Sequence, residues 1–478
     1  MSMATAAELA DALARGTTDS QSIIRRCLER IEAFDGYFAA IRLVAPDAMG
    51  QAAASDEHRR QDRPRRPLEG IPVVIKDNID VAGLPTTAGA LALADRRPEG
   101  DAPLVSRLRE SGAVIIAKAN LTELANFMTE GMPSGYSSIG GQVLNPYDVS
   151  ITPGGSSSGS AAAVALGMAP LAIGTETDGS IINPASQQSL VGFKPTLGLV
   201  SRTGVFPISP SQDTAGPMAT TVADAAALLA AIAGPDPADP ATAEAAAVTD
   251  ELRRLVLDPD VLGTARLVAV VQPTMDEQAS GGPASEHLAA LRQHGAVVGA
   301  ASLQQHKWEE ELTVLRYEFS PAIDAYFRRG GQGSQRSLAD IRAWNLDHAE
   351  AALKYGQVTV DAALAVDHAA ERAAYEETRR RNQAQAIDAM EEALGGGDAL
   401  VFRGDAGATW AARAGWPSVT VPVGYSRRSH HPRALTLVSR RWSDCYLLSL
   451  AAGVERACGH RRPPEEINPA VFSRLPTP

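Results

Sequence analysis

Cysteine is scarce in this 478-residue chain: Cys27, Cys445 and Cys458 are the only three. An odd, sparse set with no paired spacing excludes a disulfide framework and a zinc knuckle. Basic charge is in deficit, with 44 Lys plus Arg against 56 Asp plus Glu and a net charge of −12. No basic stripe offsets that sign, which disfavours nonspecific nucleic-acid binding. The local clusters Arg59–Arg66 and Arg379–Arg381 read as solvated faces or turns. The nine histidines form no HExxH or HxH, His430–His431 reads as a surface turn, and no metal site is expected. A P-loop and a Rossmann fingerprint are both missing. The start, MSMATAAELADALARG, lacks a basic segment followed by an apolar core and reads as an amphipathic helix, so a cytoplasmic protein is expected.

Charge of either sign is absent from Val149 to Thr175. A Gly/Ser-rich first third and the breaks at Gly167 and Pro170 argue against a membrane span there. The stretch reads instead as loop, buried helix, short strand and tight loop, with Ser156 and Ser180 in the two loops. Overall, 45% hydrophobic and 21% charged residues are the proportions of a soluble globular protein large enough for a substantial core.

Periodicity predicts helices over Ala4–Ala14 and Ser20–Phe34, with the Asp19–Ser20 region as N-cap of the second. Ile71–Ile75 reads as a buried strand ending at Lys76–Asp77. A helix over Pro103–Ser111 and a strand over Ala113–Ala117 follow, the local signature of an α/β sheet. Leu121–Phe127 reads as helical and Met128–Asp148 as a long polar loop, a length that is often functional. Thr221–Ala233 is a helix with a T-x-x-D start, and Gly234–Pro240 a rigid connector. Beyond it, Arg266–Val271, Ala296–Val298, Leu400–Phe402, Ser418–Val421 and Leu435–Val438 read as strands, and Ala284–His294 and Asp444–Cys458 as helices. His306–Leu394, charged and broken at Arg329–Ser334, reads as a helical layer over the sheet. With no internal repeat and α/β alternation throughout, one large domain spanning residues 1–478 is expected.

Three residues stand out chemically. Lys76 ends an apolar strand, where desolvation can lower its pKa and make it a base; an ordinary strand-end lysine reaching water is the plain alternative. Ser180 lies in a TDGS turn, where its hydroxyl could project while the N–H groups of Asp178, Gly179 and Ser180 form an oxyanion hole; a helix N-cap is the plain alternative. Ser156 lies in GGSSSGS, which could be a flexible Gly/Ser loop or a phosphate cradle, though no lysine follows as a P-loop requires.

Taken together, G-x-P-x-x-x-K-D (Gly70–Asp77), GGSSSGS (Gly154–Ser160) and GTETDGSIINPAS (Gly174–Ser186), in that order, resemble the amidase signature family. KPTLGLVSRTG (Lys194–Gly204), SQDTAGP (Ser211–Pro217) and AGWPSVTVPVGY (Ala414–Tyr425) extend the resemblance over nearly the whole chain. It implies a mixed central β-sheet flanked by helices on both faces, no cofactor, and a Ser–Ser–Lys triad. Carried onto this sequence, Ser180 is the nucleophile, Ser156 the bridging serine after a cis Gly155–Ser156 peptide, and Lys76 the base. The N–H groups of Thr177, Asp178, Gly179 and Ser180 would hold the tetrahedral anion. An acyl-enzyme would form, ammonia or an amine would leave, and water would complete hydrolysis. Met132, Tyr136 and Ser137 are expected to line the acyl pocket, with loop packing an equal alternative, and Asp213 to brace a loop.

The commoner family pattern is GGSSGGS and GTDTGGSIR. Ser158 and Asp178 stand here where glycines are usual, and Ile182 where arginine is frequent. Glu176, Ser158 and Asp178 resemble the peptide amidase branch, whose members remove the C-terminal amide of peptides. The expected partner is therefore a peptide or small-molecule amide, with no nucleic acid and no membrane; monomer and homodimer both stay open. Two alternatives remain: the A subunit of a tRNA-dependent amidotransferase, and a catalytically silent binding protein on the same scaffold.

Overall fold

The computed structural model describes residues 4–61, 63–271, 283–303, 308–426 and 429–477. Thirteen strands occur along them: β1 (Ile41–Val44), β2 (Pro72–Lys76), β3 (Val114–Ala119), β4 (Tyr136–Ser137), β5 (Gly141–Gln142), β6 (Leu171–Glu176), β7 (Val191–Lys194), β8 (Thr214–Ala219), β9 (Arg266–Val270), β10 (Val297–Ala301), β11 (Ala399–Arg403), β12 (Ser418–Tyr425) and β13 (Pro432–Val438). Eleven of them form one sheet in the order β1-β3-β2-β6-β8-β7-β12-β13-β11-β9-β10, and β4 pairs with β5 in a separate hairpin. The sheet is mixed. β3, β2 and β6 are parallel neighbours, as are β11, β9 and β10, and the pairings between β6 and β11 are antiparallel. Every residue of β2, β3, β6 and β8 is buried. Burial of both alternating faces requires cover on both sides, which the flanking helices supply.

The helix after Asp19 starts as the sequence predicts, with the Asp19 side chain accepting from Ser22 N, but runs on to Phe38. Phe34 and Phe38, one turn apart, bury on the same face and carry the helix past Gly36. The chain's other end closes over them, since the Phe472 ring lies 5.5 Å from Phe34 and 5.6 Å from Phe38. The expected helix over Leu121–Phe127 is only a 3₁₀ turn, Glu123–Asn126, with φ of +47°, +54° and +75° at Leu124, Ala125 and Asn126. Tertiary partners override local propensity here: Thr122 N donates to Ser156 O and Leu124 N to Ala88 O, so neither amide is free to build an α-helical ladder.

The helical layer consists of Trp308–Phe327, Leu338–Asp347, Ala349–Ala352, Val358–Leu364 and Arg372–Leu394. Its expected first residue, His306, lies outside the described residues. Phe319, Ile323, Tyr326 and Phe327 from this layer form a second core with Phe127, Met128, Met132, Phe206 and Ile208. The layer thus packs on the loops at the ends of the central strands. Among the described residues, no helix is long and apolar enough to cross a membrane.

Candidate active site

β2 and β6 run parallel with Ile75 opposite Ile173, so their C-terminal ends lie side by side and Lys76 arrives next to Thr175. Lys76 has no exposed surface. Its Nζ lies 2.8 Å from Ser156 Oγ, 2.8 Å from Thr175 Oγ1 and 3.3 Å from Thr175 O. No carboxylate forms an ion pair with it among the described residues. Burial holds its pKa well below the usual lysine range, and the charges of Glu176 and Asp213 only partly counter this.

Ser156 opens the segment leading into helix Ser158–Ala165, every residue of which is buried. The peptide bond Gly155–Ser156 is cis. Of the serines in this cluster, Ser157 Oγ bonds Thr175 O, Ser158 Oγ bonds Gly154 O, and Ser160 Oγ bonds Ile173 O. Ser156 alone reaches the lysine. Helix and strand are drawn close by Gly159, where a Cβ would lie 2.3 Å from Asn120 O and 2.4 Å from Ala40 O.

Ser180 follows β6 in a turn that contains Gly179 at φ +76°. It is 7% exposed, against none for Ser156. Its carbonyl accepts from Ser157 N at 3.1 Å, which places the two serine loops side by side. No hydrogen bond joins Ser156 Oγ to Ser180 Oγ among the described residues, so this second leg of the expected chain is open. The N–H groups of Thr177, Asp178 and Ser180 donate to no protein acceptor among the described residues. The N–H of Gly179 leans on the Glu176 carboxylate. That carboxylate also accepts from Ile181 N at 2.6 Å and Ile182 N at 2.9 Å, capping the short helix Ile182–Gln187. Asp178 turns its side chain to Thr409 Oγ1, and burial with the nearby Glu311, Glu176 and Asp405 charges pushes its pKa well up.

Of the three expected lining residues, Met132 packs in the second core and Tyr136 is half-buried with its ring 4.8 Å from Tyr355. Ser137 is fully buried and donates to Asn120 Oδ1 at 2.8 Å, a packing contact. Their loop borders the serine segment, since Ser134 Cβ is 3.2 Å from the position a Cβ would take on Gly155.

Sequence reasoning missed two residues at the site. Thr175 supplies two of the three Lys76 contacts, and it meets the lysine only through the pairing of β2 with β6, for which the sequence carries no local signal. Asn183 accepts from Gly155 N at 3.0 Å and donates to Asp405 at 2.5 Å, tying the serine loop to the loop after β11. Asp213 holds the Thr177 hydroxyl and the amides of Ile208 and Ser209, which makes it a loop brace; burial pushes its pKa up to about 7.

The amidase family model matches residues 22–448. A peptide amidase from Stenotrophomonas maltophilia superposes with a TM-score of 0.89 at 41% identity, covering 96% of this chain and 98% of that one. A probable amidase of Arabidopsis thaliana is 35% identical over 94% of this chain and 88% of its own length. The A subunit of a glutamyl-tRNA(Gln) amidotransferase from Chloroflexus aurantiacus is 46% identical over 48% of this chain and 46% of its own length. Family match, full-length likeness and a buried lysine–serine pair at the ends of parallel strands lead to one conclusion: the chain belongs to the amidase signature family and is an amide-hydrolysing enzyme.

Proposed function

We propose that the protein cleaves a carboxamide through Ser180 as nucleophile, Ser156 as proton relay and Lys76 as base. The observation that carries this reading is the fully buried Lys76 amine 2.8 Å from Ser156 Oγ. A neutral amine has two hydrogens and one lone pair. In the neutral form, hydrogens donated to Thr175 O and Thr175 Oγ1 would leave the lone pair to accept from the Ser156 hydroxyl, 2.8 Å away. Burial favours this neutral form. As Ser180 Oγ attacks the carbonyl carbon, its proton passes to Ser156 and that of Ser156 to Lys76. The N–H groups of Thr177, Asp178 and Ser180 receive the developing oxyanion, while that of Gly179, also expected there, is held by the Glu176 carboxylate. The tetrahedral intermediate collapses with a proton returned to the leaving nitrogen, and water then attacks the acyl-enzyme by the same relay.

The substrate we propose is the C-terminal amide of a peptide or a small-molecule amide, with ammonia or an amine as leaving group. The full-length likeness to a peptide amidase supports it, and a structure of a peptide amidase with the competitive inhibitor chymostatin has the same likeness, at a TM-score of 0.89. The amidotransferase subunit matches only 48% of this chain, which favours a free-standing hydrolase. In this reading the chain works as one domain, in keeping with its single continuous eleven-stranded sheet, and in the cytoplasm, in keeping with three buried cysteines that form no disulfide.

Intact-mass and peptide mapping after fluorophosphonate treatment test the mechanism. A single adduct on Ser180, absent in Ser180→Ala and slowed in Lys76→Ala, is expected. A folded protein that takes no adduct would refute the reading.

A further inference from the structure

Thr177 stands between β6 and Ser180, and its anchors come from outside its own loop. Its hydroxyl donates to Asp213, and its carbonyl accepts from Gln212 Nε2 at 3.2 Å. Gln212 has one further amide hydrogen, which goes to Glu311 Oε1 at 2.9 Å. Glu311 lies on helix Trp308–Phe327, and two turns along the same face comes Glu318. Glu318 Oε2 accepts from Ser209 Oγ at 2.6 Å and from Ser211 N at 3.0 Å. Its other oxygen accepts from Tyr375 Oη at 2.6 Å, on helix Arg372–Leu394. Asp213, in turn, accepts from Ile208 N and Ser209 N at 2.9 Å each, which folds the intervening segment into a stiff turn.

The segment Ser209–Asp213 is therefore held to Glu318 through Ser209 and Ser211, while Gln212 bridges Glu311 to Thr177 and Asp213 binds the Thr177 hydroxyl. Glu311 is fully buried and Glu318 only 9% exposed. Apolar side chains would hold two surfaces together without the desolvation cost of carboxylates, so their retention calls for a geometric reason.

We infer that Glu318 and Glu311 are positioning residues, which act through Ser209–Asp213 to set the place of Thr177 and so aim the Ser180 loop. The inference rests on the reading of Ser180 as nucleophile. On this view the helical layer is a part of the catalytic frame, and turnover depends on how it is seated.

The test compares full-length wild type with Glu318→Ala, Glu318→Gln and Ser209→Ala. Three quantities are read: the rate of fluorophosphonate labelling at Ser180, kcat and KM for ammonia release from an N-acylated dipeptide amide, and Tm. Glu318→Ala should lower the labelling rate and kcat together, on the order of 10-fold, with KM moved less than about twofold. Glu318→Gln, which keeps an acceptor in place, should recover most of that loss, and Ser209→Ala should fall between. A folded Glu318→Ala that labels and turns over like wild type would overturn the inference, as would losses that follow Tm alone. Should Glu318→Ala not fold, Ser209→Ala decides, since it removes one bond to Glu318, and wild-type rates there would overturn it. Absence of the adduct from the wild type is a separate result, which refutes the nucleophile reading and the inference with it.

Discussion

Lys76, Lys118 and Lys194 are all at most 1% exposed, and each meets burial differently. Lys118 pairs with Asp77 at 2.9 Å and stays compensated. Lys194 donates to Pro195 O and, with the Glu176 and Asp444 charges near, is lowered by burial to about 8. Lys76 has hydroxyls and a carbonyl for neighbours and no ion-paired carboxylate among the described residues, so burial favours its neutral form. Replacing it with methionine keeps the side-chain length and removes the desolvation cost. Lys76→Met is expected to lose activity by about 1,000-fold or more while Tm stays level or rises. Amide turnover and a thermal melt on one preparation check both halves, and a large fall in Tm would contradict the account of Lys76 as an uncompensated base.

Helix Ser158–Ala165 shows how much one element depends on a single small residue. Its serines bond main-chain carbonyls of β6 and of Gly154, and Gly159 lets it approach Asn120 and Ala40 closely. The atoms that a Cβ would meet are backbone oxygens, which cannot swing aside. Gly159→Ala should push the helix outward, break the Lys76–Ser156 contact and destabilise the fold by about 1–3 kcal/mol. A denaturant melt measures the second effect, and fluorophosphonate labelling the first. Other elements depended less on contacts. The boundaries of Arg266–Val270, Ser285–Gln293 and Asp444–Cys458 agree to within a residue with those read from the sequence pattern. Glu123–Asn126 could not be read this way, because its amides are claimed by Ser156 and Ala88, far away in sequence.

Across the whole molecule, distant segments are joined by carboxyls partly or wholly removed from water. Glu455, on helix Asp444–Cys458, accepts from Val222 N at 2.9 Å, at the start of helix Val222–Ile232. Burial pushes its pKa from 4.5 up to about 7. The folded state thus holds a proton that the unfolded chain releases above pH 4.5. That stabilising contribution is complete below pH 4.5 and is lost as pH rises through 7. Glu455→Gln keeps an acceptor for Val222 N and has no proton to lose. Its Tm relative to wild type should therefore be higher at pH 8 than at pH 5, and a pH-independent difference would sink the assignment.

The sequence alone determined the α/β class, the helical layer and the family, because those rest on local periodicity, glycine and serine spacing and residue order. It also singled out Lys76, Ser156 and Ser180, since each lies in a motif at the end of a regular element. Only the tertiary structure decided that Thr175 shares the lysine, that Asn183 ties the serine loop to Asp405, and that Glu311 and Glu318 bond the segment whose Gln212 holds Thr177. Those contacts join residues tens to hundreds of positions apart, through strand pairing and side-chain packing that leave no local periodicity to read.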